Sequence, residues 1–231
     1  MIYRWMALLF AASLALTAQA QEAPDALVKR VAEDVLQTIR GDKDLQAGNQ
    51  AKVKQLIESK LAPNFDFTRM TALAMGKNWR SATPEQQKIL TDEFRTLLVR
   101  TYSGALSNYR DNTMDYAPLR MNPGDTDVVV RTSVRRPGQA PVQIDYSMAK
   151  TPDGWKAYDV IVAGVSLVTN YRDEFNDEIK RSGVDGLIKK LTDKNKGPTP
   201  KGPGARRRQR RWNRSRRCCA PMTAAGCSPD R

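Results

Sequence analysis

The side chains that could perform chemistry in this sequence are a tyrosine followed by an aspartate, Tyr158-Asp159, and a serine seven residues after the aspartate, Ser166. A tyrosine beside an aspartate can act as an acid and a base, and a serine becomes a nucleophile when an imidazole activates it. The sequence contains no histidine, so Ser166 is better interpreted as the cap of a following helix. For Asp159 we favour hydrogen bonds to the backbone, to Arg80 or to Arg172, because no second acid stands at a recognisable spacing.

All three cysteines lie near the end of the chain, at positions 218, 219 and 227. Residues 21–196 therefore have no thiol and no imidazole, which removes cysteine nucleophiles and zinc sites built from nitrogen and sulfur ligands. Carboxylates, tyrosines and Ser/Lys pairs are the reactive groups that remain. We expect a protein that is not an enzyme and that needs no metal or other cofactor.

Charge is distributed unevenly along the chain. Residues 197–231 hold ten basic residues and one acid, whereas residues 21–196 mix both signs and carry a net charge of only +3. Mixed charge is typical of a solvated surface and not of a nucleic-acid-binding face. The segment 197–231 is rich in Arg, Gly and Pro without an apolar period, so we expect a disordered, dispensable tail. Its composition favours a shifted reading frame or read-through in GC-rich DNA.

The first twenty residues resemble an export signal. Arg4 precedes an apolar run over 5–16, which is shorter than the roughly 20 residues that span a bilayer. Ala18-Gln19-Ala20 then offers the small residues that a signal peptidase recognises. We expect cleavage near Ala20-Gln21, a periplasmic mature protein and one domain over residues 21–196.

The elements that must position the polar residues begin with helices. Apolar residues at four-residue spacing predict a first helix over 27–39 that ends at Gly41. A second short helix is expected over 53–61, where Pro63 stops it. Thr68 is expected to cap a third helix.

The strongest helix signal is a capping box, Thr-Pro-Glu-Gln at 83–86, which predicts a long helix that continues to Tyr109. Another helix is expected to start at Gly164 or Ser166 and to stop near Gly183. A last short helix follows it.

Beyond residue 112 the apolar period changes from that of a helix to that of a strand. Alternating residues predict strands over 114–120, 128–134, 142–148 and 155–162. Gly and Pro between them mark hairpin turns. The sequence therefore predicts an α+β fold in which a curved antiparallel sheet of about four strands is wrapped by helices.

Short motifs in a fixed order resemble those of the toluene-tolerance family over about residues 25–195. They are Phe65-Asp66-Phe67, LAMGKNW over 73–79, the capping box over 83–86, Tyr102, Tyr109, Tyr158-Asp159, GVSL over 164–167, Tyr171-Arg172 and Phe175. The resemblance implies a periplasmic carrier of glycerophospholipid that encloses the acyl chains. It also implies two partners, an inner-membrane ABC-transporter complex with a lipid-binding ring and an outer-membrane lipoprotein–porin complex, and no nucleic acid.

A phospholipid carrier must offer an apolar interior. Exposing about thirty methylenes to water costs on the order of 24 kcal/mol, at about 0.8 kcal/mol for each methylene. We therefore expect the sheet and helices to enclose an apolar lipid pocket. The expected wall residues are Leu98, Tyr102, Leu106, Val130, Val134, Ile144, Tyr146, Met148, Val165 and Val168.

Two other functions stay open at this stage. Some sheet-and-helix cones are isomerases that pair a tyrosine with an aspartate, so a small exported enzyme acting through Asp159 is one alternative. The other is a binder of nucleic acid or of an envelope polymer that acts through the basic tail.

Overall fold

The computed structural model describes residues 21–106 and 112–197 of the chain. These residues form an α+β fold with a five-stranded antiparallel sheet, which confirms the predicted class. The expected signal segment, Tyr109, the cysteines and the basic tail lie outside the described residues, so what was predicted for them stays a prediction. None of the helices in the two described ranges combines the length and the apolar character that crossing a membrane requires.

The described helices account for most of the predicted helical segments. They are α1 (Pro24–Gly41), α2 (Lys43–Gln46), α3 (Gln50–Leu56), α4 (Phe67–Met75), α5 (Pro84–Leu106) and α6 (Thr169–Lys196). A π-helix over Ile57–Leu61 and a 3-10 turn over Ala62–Asn64 connect α3 to α4, and a second 3-10 segment, Gly76–Ser81, precedes α5. The predicted second helix thus changes its winding before Pro63, which has no N–H and crowds the preceding turn.

The start of α4 differs from the prediction. Its cap is Asp66, whose carboxylate accepts a hydrogen bond from the Arg69 amide at 2.8 Å, whereas Thr68 lies within the helix. The backbone amide of Asp66 donates to the carbonyl oxygen of Ala157 at 2.9 Å. This contact with a distant strand holds Asp66 outside the helix, so it and not Thr68 takes the cap position.

Helices α5 and α6 agree well with the sequence. The predicted capping box is confirmed, because the Thr83 amide donates to Gln86 Oε1 at 3.0 Å and the Gln86 amide donates to Thr83 Oγ1 at 3.2 Å. The predicted break near Gly183 is also confirmed, with φ 72° and ψ −175° at that residue. The break divides α6 into two antiparallel arms, residues 169–182 and 184–196, because Lys190 pairs with Glu178 and Lys194 pairs with Glu174 across it.

The sheet is a meander in the order β1-β2-β3-β4-β5. Its strands are β1 (Thr113–Tyr116), β2 (Asp127–Arg135), β3 (Val142–Thr151), β4 (Gly154–Val162) and β5 (Val165–Ser166). The register places Val130 opposite Tyr146 and Met148 opposite Ala157 on the inner face. A β-bulge between Ser147 and Met148 leaves one extra residue, Tyr158, on β4.

Two strands differ from the prediction. β1 ends at Tyr116 and not at Arg120, because Pro118 cannot donate to a neighbouring strand. A fifth strand, β5, replaces the expected start of a helix at Gly164 or Ser166. Positive φ angles at Ala163 (49°) and Gly164 (81°) turn the chain back tightly, so β5 pairs with β4 before α6 begins.

Four apolar clusters hold these elements together. Helices α4, α5 and α6 share one cluster, in which the rings of Phe94 and Phe175 meet edge to face at 5.1 Å. The N-terminal half of α1 packs on β2, β3 and β4, while its C-terminal half packs on α3, the π-helix and α5. The fourth cluster lies on the sheet around Val134 and Ile144.

Candidate functional site

An apolar cavity of about 70 Å³ lies between the N-terminal half of α1 and the inner face of β3 and β4. Strand alternation points one side of β3 towards it, and the helical stripe of α1 covers it from the opposite side. Its lining residues are Leu27, Val28, Val31, Ala32, Leu61, Asn64, Phe65, Tyr146, Met148 and Ala157. Eight of these ten side chains are hydrocarbon or thioether, so the cavity suits an apolar ligand.

Phe65 is the side chain that connects this cavity to the other clusters. It packs against the α4–α5–α6 cluster, the α1–sheet cluster and the Val134–Ile144 cluster. An isolated parallel β-bridge to Ala157 fixes its backbone, and its ring stacks on Phe67 with centroids 5.8 Å apart. The Phe65-Asp66-Phe67 motif therefore fixes one wall of the cavity.

An ion pair joins the two helical elements beside the cavity. Lys60 Nζ of the π-helix lies 2.8 Å from Asp34 Oδ2 of α1. The Asn64 side-chain amide donates to the Lys60 carbonyl at 2.8 Å and turns that short segment towards the cavity. Lys156 Nζ donates to the carbonyl oxygen of Pro63 at 2.5 Å, on the same connection.

The structure divides the predicted wall residues among several places. Tyr146 and Met148 line the cavity, and Val130 is buried in the same cluster. Val134 and Ile144 belong to the neighbouring sheet cluster, and Leu98 and Val168 to the helical cluster, against which Tyr102 packs. Val165 is 51% exposed, because it lies at the tight turn between β4 and β5. The side chain of Leu106 lies outside the described part of the structure, so its place in the wall stays a prediction.

The sequence interpretation missed most of the cavity's helical wall. Leu27, Val31 and Leu61 fall within the predicted helices over 27–39 and 53–61, but the spacing of apolar residues in a helix does not say which strands that helix covers. Ala32 and Ala157 carry no signal, because a small side chain matters here only through the space that it leaves.

Tyr102 carries a polar group in apolar surroundings. Its hydroxyl is buried and has no hydrogen-bond partner among the described residues. Burial, with a smaller contribution from Tyr171, raises the pKa of Tyr102. The hydroxyl therefore stays protonated and neutral at physiological pH.

Asp159 fixes the corner between β4, β5 and α6. Its Oδ1 accepts from the amides of Val160 (2.8 Å) and Val168 (3.2 Å), and its Oδ2 accepts from Ser166 Oγ at 2.5 Å. The preferred interpretation, an aspartate bonded to the backbone, is confirmed. Ser166 Oγ also accepts from the Thr169 amide at the start of α6. The N-cap position of α6 is Val168, however, so Ser166 contacts the first turn from strand β5 and is not the predicted cap residue.

Neither Arg80 nor Arg172, the two arginines predicted as alternative partners of Asp159, is among the groups that donate hydrogen bonds to it in the described residues. Arg172 donates twice to the carbonyl oxygen of Leu73, at 3.1 and 3.0 Å. Tyr158, the bulged residue beside Asp159, lies under the guanidinium of Arg69, with 3.7 Å between Cζ and the ring centroid. Burial raises the pKa of Tyr158, and the charge of Arg69 opposes that shift.

Metal binding has no candidate in the part of the chain that the structure describes. Across residues 21–106 and 112–197, no three His, Cys, Asp or Glu side chains are grouped in a way that could hold a metal ion. The polar side chains that line the cavity are the amide of Asn64 and the hydroxyl of Tyr146, and the Lys60–Asp34 ion pair lies beside them. These suit the polar end of an amphipathic ligand.

The fold and the cavity together define a helix-and-sheet protein with an apolar interior beneath its first helix. A model of the MlaC protein family matches residues 29–193, well over half of the chain, so the protein belongs to the MlaC family. The family resemblance read from the sequence motifs is thereby confirmed.

Two named relatives are similar to this chain over most of their length. The toluene tolerance protein ttg2D of Pseudomonas putida is 27% identical over 184 residues, which cover 79% of this chain and 84% of that protein. The intermembrane phospholipid transport system binding protein MlaC of Haemophilus influenzae is 24% identical over 185 residues, or 76% of this chain and 83% of that protein.

A solved structure is more similar in sequence. The phospholipid-binding protein from Ralstonia solanacearum, in complex with a phospholipid, is 48% identical with a TM-score of 0.71. The similarity covers 75% of this chain and 97% of that one.

Proposed function

We propose that this protein is a periplasmic carrier that binds glycerophospholipid and moves it between the outer and inner membranes. The observation that carries the proposal is the 48% identity to a protein solved with a phospholipid, over 97% of that protein's length. The apolar cavity beneath α1 supports it from this chain's own geometry. Its partners would be an inner-membrane ABC-transporter complex with a lipid-binding ring and an outer-membrane lipoprotein–porin complex.

The cavity must enlarge when a lipid binds. Its volume of about 70 Å³ is well below the roughly 300 to 1,000 Å³ of typical ligand sites. The apolar residues of the N-terminal half of α1 belong to the sheet cluster, whereas the C-terminal half is held by buried Val35 and Ile39 against α3 and α5. We therefore propose that the sheet and the N-terminal half of α1 separate to admit acyl chains.

The proposed acyl-chain wall combines the cavity lining with the predicted residues near it. Tyr146 and Met148 contact the chains first, and opening extends the space towards the other clusters. The predicted wall residues in those clusters are Leu98, Tyr102, Val134, Ile144 and Val168. Val130 belongs to the cluster at the cavity, and Leu106, whose side chain lies outside the described part of the structure, stays a predicted wall residue.

No catalytic step is required for this function, and we propose that the protein is not an enzyme. Asp159, the residue on which the isomerase alternative rests, uses both carboxylate oxygens to fix the β4–β5–α6 corner. We also propose that the mature domain starts at Gln21 and that the segment 197–231 is dispensable.

Lipid transfer between vesicles tests the proposal. Delipidated protein is mixed with donor vesicles that contain a labelled phospholipid, separated from them, and added to unlabelled acceptor vesicles. We expect labelled lipid to enter the protein fraction and then to appear in the acceptor vesicles. If no label enters the protein at any protein concentration, the protein is not a phospholipid carrier.

A further inference from the structure

The Lys60–Asp34 ion pair lies beside the residues that line the cavity. Leu61, the residue after Lys60, lines the cavity, and so does Val31, which lies one helical turn before Asp34 on the same side of α1. The pair thus links the two helical elements that flank one end of the cavity, the π-helix and α1. A π-helix is uncommon and often marks a functional site.

The contact is accessible and easily exchanged. The side chains of Lys60 and Asp34 are 43% and 41% exposed, and their Nζ–Oδ2 distance is 2.8 Å. Exposed ion pairs contribute at most about 1 kcal/mol to stability. Another anion that reaches Lys60 can therefore replace Asp34 at small cost.

We propose that Lys60 binds the phosphate group of the lipid at the edge of the cavity and that Asp34 occupies Lys60 when no phosphate is there. The proposal rests on the proposed lipid-carrier function. With the acyl chains inside the cavity, the phosphodiester remains at the solvent side, where an ammonium group offers a charge-assisted hydrogen bond. Lys60 thus distinguishes a phospholipid from an uncharged lipid with the same chains.

The exchange of partners also connects head-group binding to the contact between α1 and the π-helix. When phosphate takes the ammonium of Lys60, α1 loses its ion pair with the π-helix. A ligand shifts a conformational equilibrium only through its different affinity for the two states, and this exchange supplies such a difference. Phosphate binding and loosening of the contact between α1 and the π-helix then favour one another.

The test compares two ligands and three variants. Delipidated protein is titrated with phosphatidylglycerol and with the diacylglycerol that has the same acyl chains, both in the same detergent. The variants are Lys60→Gln, Lys60→Arg and Asp34→Asn. The matched control is Lys52→Gln, because Lys52 of α3 is equally exposed at 43% and lies 2.8 Å from both Asp42, the N-cap of α2, and Asp44. None of these three residues lines the cavity.

We expect Lys60→Gln to weaken phosphatidylglycerol binding about tenfold, which corresponds to about 1.4 kcal/mol at 25 °C, and to leave diacylglycerol binding unchanged. Lys60→Arg should keep the wild-type affinity. Asp34→Asn should strengthen phosphatidylglycerol binding, because phosphate no longer competes with a carboxylate. Lys52→Gln should change neither ligand.

Several results would overturn the assignment. They are unchanged phosphatidylglycerol binding in Lys60→Gln, equal losses for both ligands, and weaker binding in Asp34→Asn. Excess inorganic phosphate should not displace the lipid, and displacement would assign Lys60 to free phosphate instead. If the wild type binds neither lipid, the carrier function itself fails, which is a different outcome from binding that ignores Lys60.

Discussion

The backbone amide of Asp66 donates a hydrogen bond to the carbonyl oxygen of Ala157 at 2.9 Å and so ties the start of α4 to β4. Because Phe65 directly precedes Asp66, the same contact holds Phe65 where three apolar clusters meet. The Asp66 carboxylate caps α4 through the Arg69 amide. One residue thus positions both a helix and a wall of the cavity.

Replacing Asp66 with alanine should remove the cap and keep the backbone contact to β4. We expect Asp66→Ala to lower the free energy of unfolding by about 1 kcal/mol, the usual cost of losing an N-cap. The matched control is Thr68→Ala, in the exposed first turn of the same helix, which should change stability by less than about 0.5 kcal/mol. Urea unfolding measures both, and a larger loss in Thr68→Ala would show that the cap is misassigned.

The local parts of this fold could be predicted from sequence, and the long-range parts could not. The capping box at Thr83 and the break at Gly183 depend on neighbouring residues, and both were found. Asp66 and Thr68 are both good caps, and the choice between them depends on Ala157, ninety-one positions away. Strand β5 was missed because two residues form a strand only through pairing with β4.

The candidate site shows the same division. Alternation on β3 identified Tyr146 and Met148 as inward-facing residues, and both line the cavity. The stripe of α1 was recognised as apolar, but its position over β3 and β4 is a tertiary contact that periodicity does not encode. The family motifs predicted a phospholipid ligand, whereas the Lys60–Asp34 pair is visible only in three dimensions.

The two arms of α6 should be intolerant of a side chain at Gly186. A Cβ atom there would clash with the side chain of Ser182 on the opposite arm. We expect Gly186→Ala to destabilise the protein by about 1 to 3 kcal/mol through overpacking. Among the described residues, no atom beyond the chain neighbours and the backbone of α5 lies within 4 Å of a Cβ atom placed at Gly104, so Gly104→Ala should stabilise by up to about 1 kcal/mol. Thermal unfolding that gives both variants the same sign would contradict this packing.

Acid should weaken the Glu178–Lys190 contact between the two arms of α6. Hydrogen bonds from Lys190 and Ser182, opposed by burial, lower the pKa of Glu178 from 4.5 to about 2. Because the folded pKa lies below the unfolded value, the stabilisation is complete above about pH 4.5 and is lost as the pH falls towards 2. We expect Glu178→Gln to unfold with a weaker pH dependence between those values. Equal slopes for the variant and the wild type would show that Glu178 is not the responsible group.

Filling the cavity should remove lipid without unfolding the domain. Ala32 lines the cavity from α1 and is only partly buried, so Ala32→Phe should occupy space that an acyl chain needs. We expect several-fold less phospholipid in the purified variant and a melting temperature within a few degrees of the wild type. Ala51→Phe, on an exposed position of α3, should change neither. A large drop in the melting temperature of Ala32→Phe would indicate a close-packed core at this place.

The most direct test of the carrier function is the mass of the protein isolated from the periplasm without detergent, measured under native and then denaturing conditions. We predict a native mass that exceeds the chain mass by one or more glycerophospholipids, and loss of that excess on denaturation. The denatured mass should also correspond to a chain that begins at Gln21. A native mass equal to that of the chain alone, with no phospholipid in an organic extract of the same sample, would contradict the proposed function.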